Sequence, residues 1–348
     1  MIAGPPSIQR MRNAIFTAPG RPLEISDGAI PVPSTGQVVL KVGRCGICGT
    51  DLHMTEAGST FLSPGAVIGH EISGEVVEIG PRVSSVKIGD RVAALPIVGC
   101  GQCDSCQRGE PVWCTNGRQF LAGGFAQYAL AGEASCLRLP SDLSFADGAL
   151  VEPLAVALHG VRMVPTLRDR SVLVLGAGPI GLAVVFWARR MGARRIGVVE
   201  GNPTRIDMAM AMGADFSRVP GEGTDHPEVE APQIVVECVG RPGLLKTAIE
   251  AVRPRGTVIS LGYCIQPDEI VTSEAGRREV TLVFPILYSL EEYQITLDTL
   301  AAGDVEPRVM VTDTVGFDLL PSIFEDLRGP SPHCKVMIDP WRKPDPAT

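Results

Sequence analysis

Four cysteines with short, regular spacing are the clearest chemical signal in this sequence. Cys100, Cys103, Cys106 and Cys114 follow the pattern Cys-x2-Cys-x2-Cys-x7-Cys. Thiolates bind zinc tetrahedrally, and one short loop can wrap four of them around a single ion. Because four thiolates leave no coordination position for water, we expect a structural zinc in a lobe around residues 99–115. An iron–sulfur cluster held by the same thiolates stays open as an alternative.

A glycine-rich turn predicts a dinucleotide-binding site. The apolar run at 172–175 continues as Gly176-Ala-Gly178-Pro179-Ile180-Gly181 into a segment with helical spacing. The first glycine of such a motif permits a tight turn, the second lets the backbone approach a pyrophosphate, and the third allows close helix–strand packing. The N–H groups at the start of the helix bind phosphate. We therefore expect the residues from Gly176 to Gly181 to contact the cofactor.

An acidic residue at the end of the next predicted strand indicates which dinucleotide binds. Glu200 lies about 20 residues beyond the glycine motif, where a carboxylate binds the adenosine ribose hydroxyls. The same carboxylate would repel a 2′-phosphate, so we expect NAD as the cofactor. Arg205 lies close by, and if its side chain covers the ribose it would permit NADP instead.

Cys48 and His70 form a second candidate metal site. They lie in the segments Gly-Ile-Cys48-Gly-Thr50-Asp51-Leu-His53 and Gly-His70-Glu71. A thiolate and an imidazole from separate strand ends leave room for an open coordination position, which is typical of catalytic zinc.

Two kinds of segment must position these residues. Over the first 140 residues, short alternating or apolar runs predict an all-β region, with strands at 37–42, 71–79, 91–95 and 125–130. From about residue 150, apolar strands alternate with helices, which predicts a parallel sheet covered on both faces. Strand-like segments at 309–311 and 335–339 follow. We expect a β-rich domain at 1–155, an α/β domain at 156–295 and a C-terminal return to the first domain at 296–348.

The overall composition excludes several functions. A net charge of −8 in 348 residues gives no basic surface for nucleic acid or anionic lipid. No apolar run has the length of a membrane span, and the N-terminus lacks the apolar core of an export signal. The ten cysteines are therefore expected to be reduced thiols in a cytoplasmic protein. We expect no nucleic-acid partner and no membrane association.

The sequence resembles the zinc-containing medium-chain dehydrogenase/reductase family over nearly its whole length. The shared features, in the family order, are Cys48-Gly-Thr-Asp-x-His53, Gly-His70-Glu71, the four-cysteine lobe, Val-Glu152-Pro-Leu-Ala and the glycine motif. The similarity is greatest to the branch that contains polyol, threonine and butanediol dehydrogenases.

This resemblance implies a fold and a set of ligands. The fold is α/β, with a GroES-like β-barrel catalytic domain, a doubly wound Rossmann coenzyme domain and an active site in the cleft between them. Cys48, His70 and Glu152 would hold a catalytic zinc, with Glu71 as a neighbouring or alternate ligand. The resemblance also implies two zinc ions per chain and a homodimer or homotetramer.

The resemblance further implies a dehydrogenase mechanism. Zinc would act as a Lewis acid on the alcohol or carbonyl oxygen, and hydride would pass between the carbinol carbon and the nicotinamide. A proton would leave through Thr50, a cofactor ribose hydroxyl and His53, while Asp51 would orient the zinc ligands.

The substrate is predicted only as a small alcohol or ketone. Polyol-binding relatives carry an aromatic residue after the relay histidine and an Arg-Tyr pair after the last Rossmann strand. This chain has Met54 and Phe-Pro-Ile286-Leu287-Tyr at those places, and Phe120 is a further apolar candidate. We therefore expect a secondary alcohol with apolar substituents.

Other functions stay open. Within the family these are a polyol, 2,3-diol or L-threonine dehydrogenase. A non-catalytic dinucleotide-binding relative and a zinc-free quinone or enone reductase are disfavoured by Cys48, His70 and Glu152.

Overall fold

The computed structural model describes residues 10–221 and 231–344. The chain forms two compact units. The first comprises Met1–Glu152, Tyr293–Gly303 and Val311–Thr348, and the second comprises Pro153–Glu292 and Asp304–Met310. The predicted domain limits at 1 and 348 lie outside the described residues. Within those residues, no helix is long and apolar enough to cross a membrane.

The helices and strands are numbered in chain order. The N-terminal part contains β1 Arg10–Ile15, β2 Glu24–Ala29, β3 Gln37–Gly46, α1 Gly49–Met54, β4 Glu71–Ile79, β5 Arg91–Ala94, β6 Ile97–Val98, α2 Asp104–Gln107, β7 Gln119–Phe120, β8 Tyr128–Gly132, β9 Cys136–Arg138 and α3 Phe145–Arg162. The middle part contains β10 Ser171–Leu175, α4 Pro179–Arg190, β11 Arg195–Val199, α5 Pro203–Ala211, β12 Phe216–Arg218, β13 Ile234–Glu237, α6 Leu244–Ala251, β14 Thr257–Ser260, α7 Thr272–Arg277, β15 Thr281–Val283 and α8 Leu290–Ala301. The C-terminal part contains β16 Val311–Val315, α9 Leu320–Asp326 and β17 Lys335–Ile338.

The first unit is built on a seven-stranded sheet. Its strand order is β16-β17-β3-β4-β5-β9, and β8 also pairs with β3. Only β16 and β17 run parallel, and the other pairs are antiparallel. Gly46 on β3 is paired with Glu71 on one side and with Met337 on the other. This register brings the C-terminal strand β17 beside the strand that leads to Cys48.

The second unit is a six-stranded parallel sheet with the order β12-β11-β10-β13-β14-β15. This order reverses direction between β10 and β13, which is the topology of a doubly wound dinucleotide-binding fold. Every residue of β10 and β13 is buried, because helices cover parallel sheets on both faces. The prediction of a parallel α/β sheet is confirmed.

Each unit has its own apolar core. In the first, residues such as Leu40, Phe125 and Val336 pack between the sheet and α9. In the second, Leu173 and Val258 pack against α6.

Three predictions about individual segments are wrong. The region predicted to be all-β contains the short helices α1 and α2. The strand predicted at 125–130 begins only at Tyr128, because Phe125 forms backbone hydrogen bonds to Ile68 and Ala14 in separate segments. The strand predicted at 309–311 is preceded by the 3₁₀ helix Glu306–Met310 and begins at Val311. Pro307, which has no N–H group to donate to a sheet, lies within that 3₁₀ helix.

Candidate active site and cofactor loop

The four cysteines of the lobe converge on one point. Across the described residues, Cys100, Cys103, Cys106 and Cys114 form the one group of three or more His, Cys, Asp or Glu side chains whose ligand atoms all lie within 4.8 Å of one another. A Cβ atom at Gly99 would lie 2.4 Å from the Cys106 sulfur, so a glycine is needed beside that thiol. The group has the number, type and closeness of ligands that a tetrahedral zinc requires.

Backbone N–H groups point at the sulfur atoms of the lobe. The amides of Gln102 and Cys103 donate to Cys100 Sγ, each at 3.4 Å, and they lower the pKa of that thiol. The amides of Cys106 and Thr115 lower the pKa of Cys103 to about 5. Burial raises the pKa of Cys106 to about 12. Since metal ligands must be thiolates, the loop favours two of the four ligands in their binding form before a metal arrives.

Asp51 joins the two residues predicted to begin the catalytic zinc site. Cys48 is the N-cap of α1, and its N–H donates to Asp51 Oδ2 at 3.0 Å. The other carboxylate oxygen lies 3.2 Å from His70 Nδ1 and accepts from Gly69 N–H at 3.3 Å. Asp51 is fully buried. One carboxylate therefore fixes both the backbone at Cys48 and the ring of His70, which leaves His70 Nε2 as the nitrogen for a metal.

The charges around His70 favour its protonated form in the absence of a metal. Burial by itself lowers the pKa of His70, but the charges of Asp51 and of a Cys48 thiolate raise it well above its usual value. The same two groups also form hydrogen bonds with the ring. The His70 ring thus lies between Asp51 and Cys48, two groups that favour a positive charge on it.

Both carboxylate oxygens of Glu71 are paired with a buried lysine. Lys335 Nζ lies 2.6 and 2.8 Å from the two carboxylate oxygens of Glu71 and 3.0 Å from Ile47 O. Both side chains are buried. The carboxylate crosses β3 above Gly46, where a Cβ atom would lie 1.8 Å from Glu71 Oε2. Burial lowers the pKa of Lys335, but the charge of Glu71 raises it above its ordinary value. The pair is therefore ionic.

Glu152 lies on α3 and is 3% exposed. Burial raises the pKa of Tyr293 and lowers that of Lys335. The charge of Glu152 raises the pKa of both groups. The ligand atoms of Cys48, His70 and Glu152 do not all lie within 4.8 Å of one another. The structure thus brings Cys48 and His70 together, while the third ligand stays a prediction.

The predicted relay residues lie on α1. Thr50 is half-buried in its first turn, and His53 is in its last turn. His53 Nδ1 lies 3.0 Å from Glu56 Oε1, and its side chain is 33% exposed. The His53 ring is thus in contact with solvent. The Phe120 ring lies 5.7 Å from the His70 ring and is half exposed, so this predicted apolar residue lies beside a predicted zinc ligand.

The glycine motif has the geometry that phosphate binding requires. Gly176 has a φ of 90°, which favours glycine. A Cβ at Gly181 would lie 1.8 Å from Gly176 O, whereas a Cβ at Gly178 would meet nothing within 4 Å. Gly178 is the N-cap of α4, which begins with Pro179 and Ile180. The space beside Gly178 is thus open at the start of α4, where unpaired helix N–H groups are suited to bind phosphate.

Glu200 lies directly after β11 and braces the same loop. Its two carboxylate oxygens accept hydrogen bonds from Ala177 N–H at 2.9 Å, Gly201 N–H at 2.8 Å and Asn202 N–H at 2.9 Å. Arg205 is half-buried on α5. Glu200 is therefore anchored beside the glycine turn, as a ribose-binding carboxylate must be.

A cavity of about 380 Å³ lies beyond the carboxyl ends of β13, β14 and β15. Glu237, Arg241, Tyr263 and Phe284 are among the residues that line it. Burial raises the pKa of Glu237, although the amides of Gly240 and Val239 oppose this shift. Ligands of doubly wound sheets bind at this edge. None of these four residues was predicted to line a site, because Glu237 ends a strand and the others lie in loops that come together only in the folded sheet.

Lys335 is a further residue whose role the sequence did not predict. A single lysine at the start of the apolar strand Lys-Val-Met-Ile is the only local signal of its burial. The sequence predicted the strand but not the partner of its lysine.

Known proteins are similar to this chain in sequence and in fold. Residues 34–141 match the family described as alcohol dehydrogenase GroES-like domain, and residues 179–302 match the family described as zinc-binding dehydrogenase. Probable D-xylulose reductase A of Arthroderma otae is 31% identical over 337 residues, which cover 91% of this chain and 94% of that protein.

Two solved structures have nearly the same fold. The rspB alcohol dehydrogenase of E. coli CFT073, complexed with NADH, has a TM-score of 0.86 at 27% identity and covers 95% of this chain and 99% of its own. A protein of Sinorhizobium meliloti 1021 bound to NADP has a TM-score of 0.85 at 29% identity and covers 95% of this chain and 100% of its own. The expected GroES-like and Rossmann domains are confirmed, and this chain belongs to the zinc-containing medium-chain dehydrogenase/reductase family.

Proposed function

We propose that this oxidoreductase interconverts a secondary alcohol and its ketone, with NAD as the hydride carrier and with two zinc ions per chain. The observation that carries the proposal is the buried Asp51 carboxylate, which contacts both the Cys48 backbone and the His70 ring. A buried carboxylate that holds both the backbone beside a half-exposed cysteine and a buried imidazole is what a zinc site built on Cys48 and His70 would need.

The catalytic zinc would be held by Cys48, His70 and Glu152. Glu71 is the weaker candidate, because Lys335 occupies both of its oxygens. When bound, zinc lowers the pKa of the substrate hydroxyl and polarises the carbonyl in the reverse reaction. The second zinc would be held by Cys100, Cys103, Cys106 and Cys114, with no part in the chemistry.

The remaining steps belong to side chains of this protein. Asp51 keeps His70 Nδ1 engaged, so Nε2 would be the nitrogen that holds zinc. Thr50 has a hydroxyl that can accept the substrate proton and donate its own onwards. His53, paired with Glu56 and partly exposed, would pass that proton to solvent.

NAD would bind along the carboxyl edge of the parallel sheet. Its pyrophosphate would lie at Gly178 and the first turn of α4, and its adenosine ribose at Glu200. The cavity beyond β13, β14 and β15 offers space for the nicotinamide half. The anchored Glu200 carboxylate favours NAD over NADP, because it would repel a 2′-phosphate.

The substrate would meet an apolar surface beside His70. Phe120 lies beside His70, which favours a substrate with an apolar substituent. A polyol or 2,3-diol is the second candidate, and the similarity to a probable D-xylulose reductase favours it.

The test is an absorbance assay for NADH formation with a panel of secondary alcohols, 2,3-diols, polyols and L-threonine. We expect turnover of at least one secondary alcohol with NAD, and its loss in Cys48→Ser with NADH binding retained. Metal analysis should give two zincs in the wild type and one in Cys48→Ser. Unchanged turnover in Cys48→Ser would overturn the catalytic-zinc assignment, and turnover with NADP alone would overturn the cofactor assignment.

A further inference from the structure

The short helix α1 depends on contacts with distant parts of the chain. It has six residues, whereas isolated helices shorter than about 12 residues are marginal in water. Asp51 caps its N-terminus through Cys48 N–H. At its C-terminus, Leu52 O and His53 O accept from the N–H groups of Thr55 and Glu56 in the following turn, at 3.2 and 3.3 Å. Further donors from elsewhere in the chain would stabilise this end of the helix.

Arg328, from the segment after α9, supplies those donors. Its Nη1 donates to Leu52 O at 2.8 Å, and its Nη2 donates to Thr55 Oγ1 at 2.7 Å. Thr55 is fully buried, and its hydroxyl lies 3.0 Å from both Asp51 O and Leu52 O. A cation at a helix C-terminus also interacts favourably with the helix dipole.

Glu325 and Phe324 fix the orientation of Arg328. Arg328 Nε lies 2.9 Å from Glu325 Oε2, and Nη2 lies 3.3 Å from Glu325 Oε1. The guanidinium carbon lies 5.3 Å from the centre of the Phe324 ring. The side chain is 22% exposed. The guanidinium is thus held in one plane, with its remaining N–H groups aimed at the end of α1.

The same C-terminal part of the chain also contacts Ile47, which lies two residues before α1. Lys335 donates to Ile47 O at 3.0 Å, next to Cys48. Two cations, Lys335 and Arg328, therefore contact the two ends of the segment Ile47–Thr55, which carries Cys48, Thr50, Asp51 and His53. Each cation is paired with its own carboxylate, Glu71 or Glu325.

We propose that Arg328 is a positioning residue for alcohol oxidation. By holding Leu52 O and Thr55, it keeps α1 in the orientation in which Cys48 and His53 serve the reaction. Its effect on turnover rests on the proposed dehydrogenase function, whereas the restraint of α1 does not.

The test compares Arg328→Met with Arg91→Met. Arg91 is a matched control, because it donates to the carbonyls of Pro140 and Leu143 at 3.3 and 2.7 Å and lies over the Phe145 ring. Hydrogen exchange of the peptide containing residues 47–55 reports the restraint itself. We expect that peptide to exchange about tenfold faster in Arg328→Met and at the wild-type rate in Arg91→Met.

Kinetics and metal spectra provide the second readout. We expect kcat to fall about tenfold to a hundredfold in Arg328→Met with KM changed less than about threefold, because small misplacements of catalytic groups have effects of this size. The visible spectrum of the cobalt-substituted enzyme should shift, because Cys48 moves with α1. Arg328→Lys should recover part of kcat through Leu52 O alone.

Two outcomes would overturn the inference. One is equal exchange of residues 47–55 in the two methionine variants. The other is a kcat in Arg328→Met that equals that of Arg91→Met while the wild type is active. If Arg328→Met does not fold, Glu325→Gln takes its place, since it frees the guanidinium without removing it. Absence of wild-type turnover with NAD would instead refute the proposed function, and the exchange result would still decide the restraint.

Discussion

Glu71 is adjacent to a predicted zinc ligand but belongs to a different interaction. Its carboxylate is neutralised by Lys335, which lies 264 positions later. The contact exists because β17 and β4 flank β3 and because Gly46 has no side chain to separate them. Removing one partner of a buried ion pair leaves an uncompensated charge, which costs about 3–5 kcal/mol. At the scale of the residue, Glu71 therefore has a measurable role other than metal binding.

Glu71→Gln and Glu152→Gln distinguish the two candidate ligands. We expect Glu71→Gln to keep two zincs per chain and to lose about 3–5 kcal/mol of unfolding free energy, because Lys335 stays buried without its counterion. Glu152→Gln should keep only the lobe zinc. Metal analysis after dialysis and urea unfolding measure the two effects. Loss of zinc from Glu71→Gln together with its retention in Glu152→Gln would reverse the assignment.

The glycine motif permits a second test with an internal control. Gly181→Ala places a Cβ against Gly176 O, so we expect it to lower thermal stability and NADH affinity together. Gly178→Ala has space in the free protein and should lower NADH affinity alone, because its methyl group takes the space of the pyrophosphate. Fluorescence titration with NADH and thermal melting provide both measurements. Normal affinity in Gly178→Ala would exclude pyrophosphate binding at that turn.

At the scale of the element, α3 and the start of α8 are joined by one buried carboxylate. Glu292 accepts from Ser289 N–H at 2.9 Å and lies 2.9 Å from His159 Nδ1. Burial by itself raises the pKa of Glu292, but these contacts lower it below its ordinary value. A carboxyl whose pKa is lower in the folded state stabilises the protein above its unfolded pKa of about 4.3, and this contribution is lost as the pH falls through the folded value.

Glu292→Gln should therefore be destabilised in a pH-dependent way. We expect a loss of about 1.5–3 kcal/mol in unfolding free energy at pH 7, the range for hydrogen bonds to charged groups. The difference from the wild type should shrink as the pH falls below about 4. Urea unfolding across this pH range measures it. Glu250→Gln, at a pair with Lys246 whose side chains are more than half exposed, should show little effect at any pH. A pH-independent loss in Glu292→Gln would contradict this explanation.

At the scale of the whole molecule, the lobe and the cofactor loop belong to different compact units with separate cores. Zinc binding to the lobe should stabilise the first unit, since structural metal binding contributes directly to folding. NADH should stabilise the second by about 2.7 kcal/mol at a concentration 100 times its dissociation constant.

Cys103→Ser should consequently lower the melting temperature and lose one zinc, while the NADH dissociation constant stays within about twofold of the wild type. Calorimetry, metal analysis and NADH titration test this. A variant that loses the lobe zinc without any change in melting temperature would show that the lobe is not a structural site.

Features whose residues lie close together in the sequence could be predicted, whereas contacts between residues far apart in the sequence could not. The apolar runs at 171–175, 195–200, 233–238 and 257–261 predict the strands β10, β11, β13 and β14 to within one residue at each end, because strands buried on both faces are continuous apolar runs. The polar strands β1, β2 and β12 lack such a run and were missed. The domain boundaries, the third zinc ligand and the assembly into dimers or tetramers stay predictions.

The sequence alone was sufficient for the four-cysteine group and the glycine motif, because all of their members lie in one loop, where spacing dictates geometry. Only the folded chain joined Asp51 to His70, Glu71 to Lys335 and Arg328 to Leu52. These contacts depend on strand order, register and the absence of a side chain at Gly46. None of these is visible in a single segment, since each is a property of the packed sheet.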